Sequence, residues 1–239
     1  MNGEAALGRA YAQGFLVHDP PPATRRPLHF ALPGRPLARL SEVRLVLGAH
    51  IGASGRRSGR LGPVLVRDGH QLAFSAGHVF TAAGEAVFSG DQAVGRVLAL
   101  ARPRTGVATV DAALIQLAAE VVGPRGAGLR RLPGWRPPEC GELVRLAGPG
   151  LTGTGRVLAL GVTARMRDGD NEFLLGDQLA IAGFGFSVGG DSGAALLGAD
   201  GAYLGLLVGR QAGVAVATPM ASLFAVFGGS VGELGNRHG

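Results

Sequence analysis

The sequence predicts an all-β fold, and three observations carry that expectation. Short apolar runs such as Pro63-Val64-Leu65-Val66 and Gly205-Leu206-Leu207-Val208 recur along the chain, and 42 glycines and 14 prolines punctuate them. Long amphipathic helical periods are hard to find, and apolar runs bounded by turn residues read as strands. With 239 residues, 46% of them hydrophobic and 17% charged, the chain can bury a substantial core as one large domain or as two small barrels packed together. That balance excludes extended disorder.

The elements follow in chain order. Residues 1–42 carry Pro20-Pro21-Pro22, Arg25-Arg26-Pro27 and Pro33-Gly34, which favour extended or turn conformations over a regular core element. They read as an N-terminal extension, with room for a helical turn or two near Ala6 to Phe15. Residues 43–120 form a first β-rich half. Within it, Asp68-Gly69 stands between Val64-Leu65-Val66 and Leu72-Ala73-Phe74, a hairpin signal. That hairpin delivers the chain into Ser75-Ala76-Gly77-His78, so His78 is expected just after a strand, at a loop or a short helical turn. Residues 121–140, with Gly123-Pro124, Pro133-Gly134 and Pro137-Pro138, read as a linker. Residues 141–227 form a second β-rich half that resumes at Leu143-Val144-Arg145-Leu146. Its last stretch, Met220 to Phe227, has helix-like apolar spacing and reads as a terminal helix. Residues 228–239 read as a polar, Gly-rich tail.

Composition excludes several classes of function. No run of about 18 apolar residues is present, so no membrane-spanning helix is expected. The start, Met1-Asn2-Gly3-Glu4, lacks a basic segment followed by an apolar one, so no secretory signal is read and the expected compartment is the cytoplasm. Cys140 is the single cysteine, which rules out an intrachain disulfide. The net charge of +6 comes from scattered arginines without one lysine, and aromatics make up 5%. A stacking platform or basic recognition helix for nucleic acid is therefore not supported. His18, His29, His50 and His70 show no metal-ligand spacing with one another or with Cys140. Gly148-Pro149-Gly150-Leu151-Thr152-Gly153 matches Gly-x-Gly-x-x-Gly, but a strand-like run follows where a nucleotide site needs a helix. No metal and no cofactor are expected.

Three short stretches carry chemistry. Gly190-Asp191-Ser192-Gly193 follows a Gly-rich approach and precedes the apolar run Ala194-Ala195-Leu196-Leu197. A tight loop thus presents one serine before a buried strand. Small residues there let a substrate carbonyl approach and let backbone N–H groups point into one pocket. Val110-Asp111-Ala112-Ala113-Leu114-Ile115-Gln116-Leu117 places one acid at the head of an apolar strand, where burial without a partner is costly. With His78 these complete a His, Asp, Ser set in that order. An α/β-hydrolase is excluded, because the serine block lacks the final Gly of Gly-x-Ser-x-Gly and that fold orders Ser before His.

Together, Ser75-Ala76-Gly77-His78, Asp111-Ala112-Ala113-Leu114 and Gly190-Asp191-Ser192-Gly193 resemble the three sequence blocks of the trypsin-like (chymotrypsin-fold) serine peptidases, across about residues 43 to 227. The resemblance implies two packed antiparallel six-stranded β-barrels with a short C-terminal helix, and a compact bacterial-type member without disulfides. It implies a serine endopeptidase acting on a protein or peptide substrate, with Ser192 as nucleophile, His78 as general base and Asp111 orienting it. The backbone N–H groups of Gly190 and Ser192 would form the oxyanion hole. The pocket for the residue before the scissile bond (P1) would be walled by Phe186, Ser187, Val188 and Gly189 and by Leu207, Val208 and Gly209, with Gly213 beyond. Phe186 stands where members that cleave after Arg or Lys carry an acid, so a small or apolar P1 residue is expected. One departure is evident. Secreted members pair the aspartate beside the serine with a new N-terminal amine released by cleavage, and no such start is present, so Asp191 needs another partner or the loop forms only under regulation. The alternative reading is a non-catalytic or latent module that binds peptides in the same cleft.

Overall fold

The computed structural model describes residues 16–17, 28, 31–34, 37, 40–53, 57–122, 133–183 and 185–228. The helical turn expected near residues 6–15, and all but the first residue of the tail, lie outside the described residues.

Short strands follow one another, as the punctuated apolar runs require. The first part of the chain contains β1 (Leu16–Val17), β2 (Leu40–Val46), β3 (His50–Gly52), β4 (Ser58–Arg60), β5 (Val64–Arg67), β6 (His70–Ala76), β7 (Ala86–Ser89), β8 (Gln92–Ala101), β9 (Val107–Ala108), β10 (Ala112–Leu117) and β11 (Ala119–Val122). The second contains β12 (Leu143–Leu146), β13 (Thr154–Asp168), β14 (Asn171–Ala182), β15 (Ala195–Gly198), β16 (Tyr203–Gln211), β17 (Val214–Pro219) and the helix α1 (Met220–Phe227).

Two barrels result. In one, the order is β4-β3-β7-β8-β10-β6-β5. Only Leu61 to Pro63 separate β4 from β5, and that link stays paired to β6: the Gly62 N–H donates to the Phe74 carbonyl at 2.8 Å, and the Phe74 N–H to the Pro63 carbonyl at 2.9 Å. Counted as one bent strand, β4 and β5 close a six-stranded barrel. In the other, β13-β12-β15-β16-β17-β14 closes through the β13–β14 pairing, with β1 and β9 added at its edges. The expected pair of six-stranded barrels is therefore present.

The hairpin expected at Asp68-Gly69 joins β5 to β6, and both turn residues have positive φ, 49° and 76°. That is the backbone twist a two-residue turn needs to match the strands it connects. The Gly-rich stretch from Gly148 to Gly153 joins the antiparallel strands β12 and β13, so its glycines serve a hairpin. Two parts of the chain are more regular than their composition suggests. Residues 119–122 of β11 run into the stretch read as a linker and pair in parallel with β2, which begins inside the stretch read as an extension. Leu16–Val17 adds to β13 in the second barrel. In each case a distant strand supplies the partner, which a local pattern cannot show.

α1 lies at the end of the second half of the sequence but packs into the first barrel. Phe74 of β6 meets Phe227 and Phe224 with ring centroids 5.5 and 6.3 Å apart, and Trp135 abuts Phe224 edge-on at 5.1 Å. Tyr203 and Leu206 from β16 join the same core. This shared core fixes one barrel against the other and brings the loop after β14 to the loop after β6. Among the described residues, no helix is long and apolar enough to cross a membrane.

Candidate active site

His78 sits in a single 3-10 turn, Gly77–Val79, directly after β6. Asp111 immediately precedes β10, which pairs antiparallel with β6, Ala112 opposite Ala76. The strand pairing thus sets the two side chains side by side, and the His78 Nδ1–H donates to Asp111 Oδ2 at 2.6 Å. Asp111 is only 1% exposed. Among the described residues its buried Oδ1 has no hydrogen-bond partner, so the imidazole is what offsets the burial of this carboxylate. With Nδ1 committed as donor, the neutral ring keeps its lone pair on Nε2.

Ser192 comes from the other barrel. Its carbonyl accepts the Arg60 N–H at 2.8 Å, and the Arg60 carbonyl in turn accepts the Ser75 hydroxyl at 2.9 Å. Gly193 has φ +95°, and a Cβ on it would lie 2.5 Å from the Arg60 carbonyl oxygen and 2.6 Å from Ser75 Oγ. Only glycine fits where the serine loop presses against the first barrel. The Ser192 hydroxyl donates to the Val208 carbonyl at 3.4 Å. Among the described residues it makes no hydrogen bond to His78.

The loop before Ser192 is braced from within and from across the barrel seam. Asp191 Oδ2 accepts the Val188 N–H at 2.8 Å. Asp191 Oδ1 accepts Arg60 Nε at 3.2 Å and Nη2 at 3.1 Å, while Arg60 Nη1 donates to the Gly48 and Pro149 carbonyls. Both side chains of this pair are buried. Arg60 is thus the partner that Asp191 was expected to need, and it comes from within the folded chain. The two are 131 positions apart, and nothing near Arg60 marks it among the scattered arginines. Gly190 adopts φ +91°. Among the described residues, neither its N–H nor that of Ser192 donates to a protein acceptor.

The residues expected to wall a P1 pocket fall in different surroundings. The Gly193 N–H donates to the Leu207 carbonyl at 2.7 Å and the Leu207 N–H to the Ala194 carbonyl at 2.9 Å, so Leu207, Val208 and Gly209 run beside the serine loop. The Phe186 ring packs over Gly155 beside Ile181 in the second barrel's core. Val188 and Gly189 are exposed. Ser187 is buried, and Gly213 lies in the exposed turn between β16 and β17. Arg210, which the sequence reading passed over, connects these last two segments: its Nη1 donates to the Ser187 carbonyl at 2.8 Å and its Nη2 to the Gly213 carbonyl at 3.2 Å.

This double barrel has counterparts among solved structures. Protease A of Thermobifida fusca superimposes with a TM-score of 0.59 at 17% identity, over 76% of this chain and 95% of that one. The chain has the chymotrypsin fold. A homologue of alpha-lytic protease, N4, matches with a TM-score of 0.59 at 19% identity over 77% and 97% of the two chains. The Nocardiopsis protease matches at 0.57 and 16% over 76% and 95%. No protein-family model matches the sequence, and no curated protein does.

Around the chymotrypsin-fold cleft, a pocket of about 390 Å³ adjoins His78, lined by Ala53, Arg57, Val79, Thr81 and Arg102. Behind it, Asp168 of β13 ties the barrels together: Arg102 donates to its Oδ2 at 2.6 Å through Nη2, and Arg57 pairs with its Oδ1. Burial by itself raises the Asp168 carboxyl, but the hydrogen bonds and charges of Arg102 and Arg57 outweigh it and hold the group below the usual carboxylate range. Cys140 is exposed, with its thiol on the Leu158 carbonyl. His70 is a buried packing residue bonded to Gln116.

Proposed function

We propose that this protein is a serine endopeptidase that cleaves peptide bonds through Ser192, His78 and Asp111. The hydrogen bond from His78 to the buried Asp111 carries the reading, because a buried carboxylate bonded to an imidazole is the arrangement a general base needs. Ser192 rotates its hydroxyl from the Val208 carbonyl toward Nε2, which takes the proton as Oγ bonds to the scissile carbonyl carbon. The oxyanion so formed is met by the unpaired N–H groups of Gly190 and Ser192. The C–N bond then breaks, His78 gives its proton to the leaving amine, and water repeats the sequence on the acyl-enzyme to release the acid. Asp111 holds the ring's tautomer and stabilises its cation throughout. The Arg60–Asp191 pair supports a loop held in place without a released N-terminal amine.

A latent or purely binding role is the second reading. The Ser192 hydroxyl's bond to Val208 in place of His78 is the observation that favours it. A fluorophosphonate probe separates the two. Wild type is expected to label at Ser192, mapped by mass spectrometry, and both Ser192→Ala and His78→Ala to lose the label. Labelling that survives in Ser192→Ala, or none in wild type, counts against the hydrolytic reading.

A further inference from the structure

We propose that Arg210 and Ser187 form a carboxylate-recognising P1 subsite, so that this protein takes peptides with an acidic side chain at P1. The inference rests on the peptide-cleft reading above. It replaces the small or apolar P1 residue expected from Phe186, whose ring is absorbed into the second barrel's core.

The position of Arg210 is the first ground. Val208 accepts the Ser192 hydroxyl, and Arg210 lies two residues further along β16, about 7 Å away along a strand. That is within one side chain's reach of a residue bound next to the nucleophile. The guanidinium joins Ser187, on the loop that leads to the serine, to Gly213 in the turn between β16 and β17.

The second ground is charge. Arg57, Arg60, Arg102 and Arg136 each face a carboxylate. Among the described residues Arg210 faces none, and its hydrogen bonds go to two neutral carbonyls. Exchanging a neutral carbonyl for a carboxylate adds the attraction of an opposite charge to a bond whose donor is already cationic, and the planar guanidinium matches a carboxylate with two parallel N–H donors. The Arg210 residue is exposed, so an exchange of acceptor does not require a buried cation to be moved.

The third ground is the Ser187 side chain. Ser187 is 3% exposed, and among the described residues its buried Oγ has no hydrogen-bond partner. Buried hydroxyls in native proteins nearly always have one. This one belongs to the residue whose carbonyl Arg210 already holds. A carboxylate reaching the guanidinium from the cleft would supply the missing acceptor.

The test is equilibrium binding to the Ser192→Ala protein, followed by fluorescence anisotropy with fluorescein-labelled peptides that differ only at P1: Glu, Gln, Leu or Arg. The Glu peptide is expected to bind roughly tenfold or more tightly than its Gln twin, the ratio one charge-assisted hydrogen bond supplies. Adding Arg210→Gln is expected to bring that ratio to about one, Arg210→Lys to keep part of it, and Ser187→Ala to lower it. Equal Glu and Gln binding, tighter binding of Arg or Leu, or a Glu preference that survives Arg210→Gln overturns the proposal. Fluorophosphonate labelling of the wild type reports the nucleophile separately. A labelled Ser192 without P1 discrimination defeats the acidic subsite alone, and Glu discrimination without labelling defeats the hydrolytic reading alone.

Discussion

Arg60 does several jobs with one side chain and one peptide unit. Its guanidinium neutralises Asp191 and ties down the Gly48 and Pro149 carbonyls, while its backbone binds Ser192 and Ser75. Replacing it with Met leaves the Asp191 charge buried and unpaired, at a cost of about 3–5 kcal/mol. Arg60→Met is therefore expected to lower the urea midpoint sharply and to slow fluorophosphonate labelling of Ser192. The double variant Arg60→Met/Asp191→Leu removes both charges. It is expected to regain much of the stability without regaining the labelling rate, because the Val188 N–H has lost its Asp191 acceptor as well. Full labelling in the double variant would mean that the pair contributes stability and nothing to the serine loop. Asp191 is visible in the sequence as part of Gly190-Asp191-Ser192-Gly193, but its partner is not, because a single arginine on a three-residue strand has no local signature.

At the scale of elements, α1 shows how tertiary context redirects a correctly read segment. The apolar spacing of Met220 to Phe227 specifies a helix, and a helix forms there. Its burial partners include the first barrel's core, where Phe227 meets Phe74, together with Tyr203 and Leu206 of β16. Truncation of a fully buried Phe costs about 3–5 kcal/mol. Phe227→Ala is thus expected to destabilise the whole protein in one cooperative chemical unfolding transition, because the helix is shared by both barrels. Two separated transitions would show that the barrels unfold independently and that α1 belongs to only one. The bent strand formed by β4 and β5 is a comparable case: Gly62-Pro63 reads as a break, yet the hydrogen bonds to Phe74 carry the barrel through it.

For the molecule as a whole, acid provides the handle. Asp168 joins Arg57 and Arg102 of the first barrel to β13 of the second. Glu142 joins Arg136, whose hydrogen bond is the main cause of its lowered carboxyl pKa. Both acids titrate below the usual carboxylate range in the folded protein. A carboxyl lowered on folding stabilises the native state fully above its unfolded value of about 4, and that contribution fades as pH falls through the lower native value. The melting temperature is therefore expected to be level from neutral pH to about 5 with respect to these groups and to fall steeply below 4. Asp168→Asn is expected to start lower at neutral pH and to lose part of that acid slope. An unchanged slope would assign acid unfolding to other carboxylates.

The sequence by itself determined the all-β class, the Asp68-Gly69 hairpin, the strand that leads into His78 and the acid at the head of β10. Each of these is written in residues next to one another, where turn chemistry and apolar period act locally. It also singled out Ser192, because a glycine-flanked serine before a buried strand is a local pattern. Only the tertiary structure decided that Arg60 neutralises Asp191, that Phe186 belongs to the core while Arg210 joins the Ser187 and Gly213 carbonyls, and that residues 16–17 and 40–46 are strands. These depend on which chain segments meet across the barrel seam. A buried charge or an unpaired strand edge takes whatever partner the fold brings to it, and sequence separation places no mark on that choice.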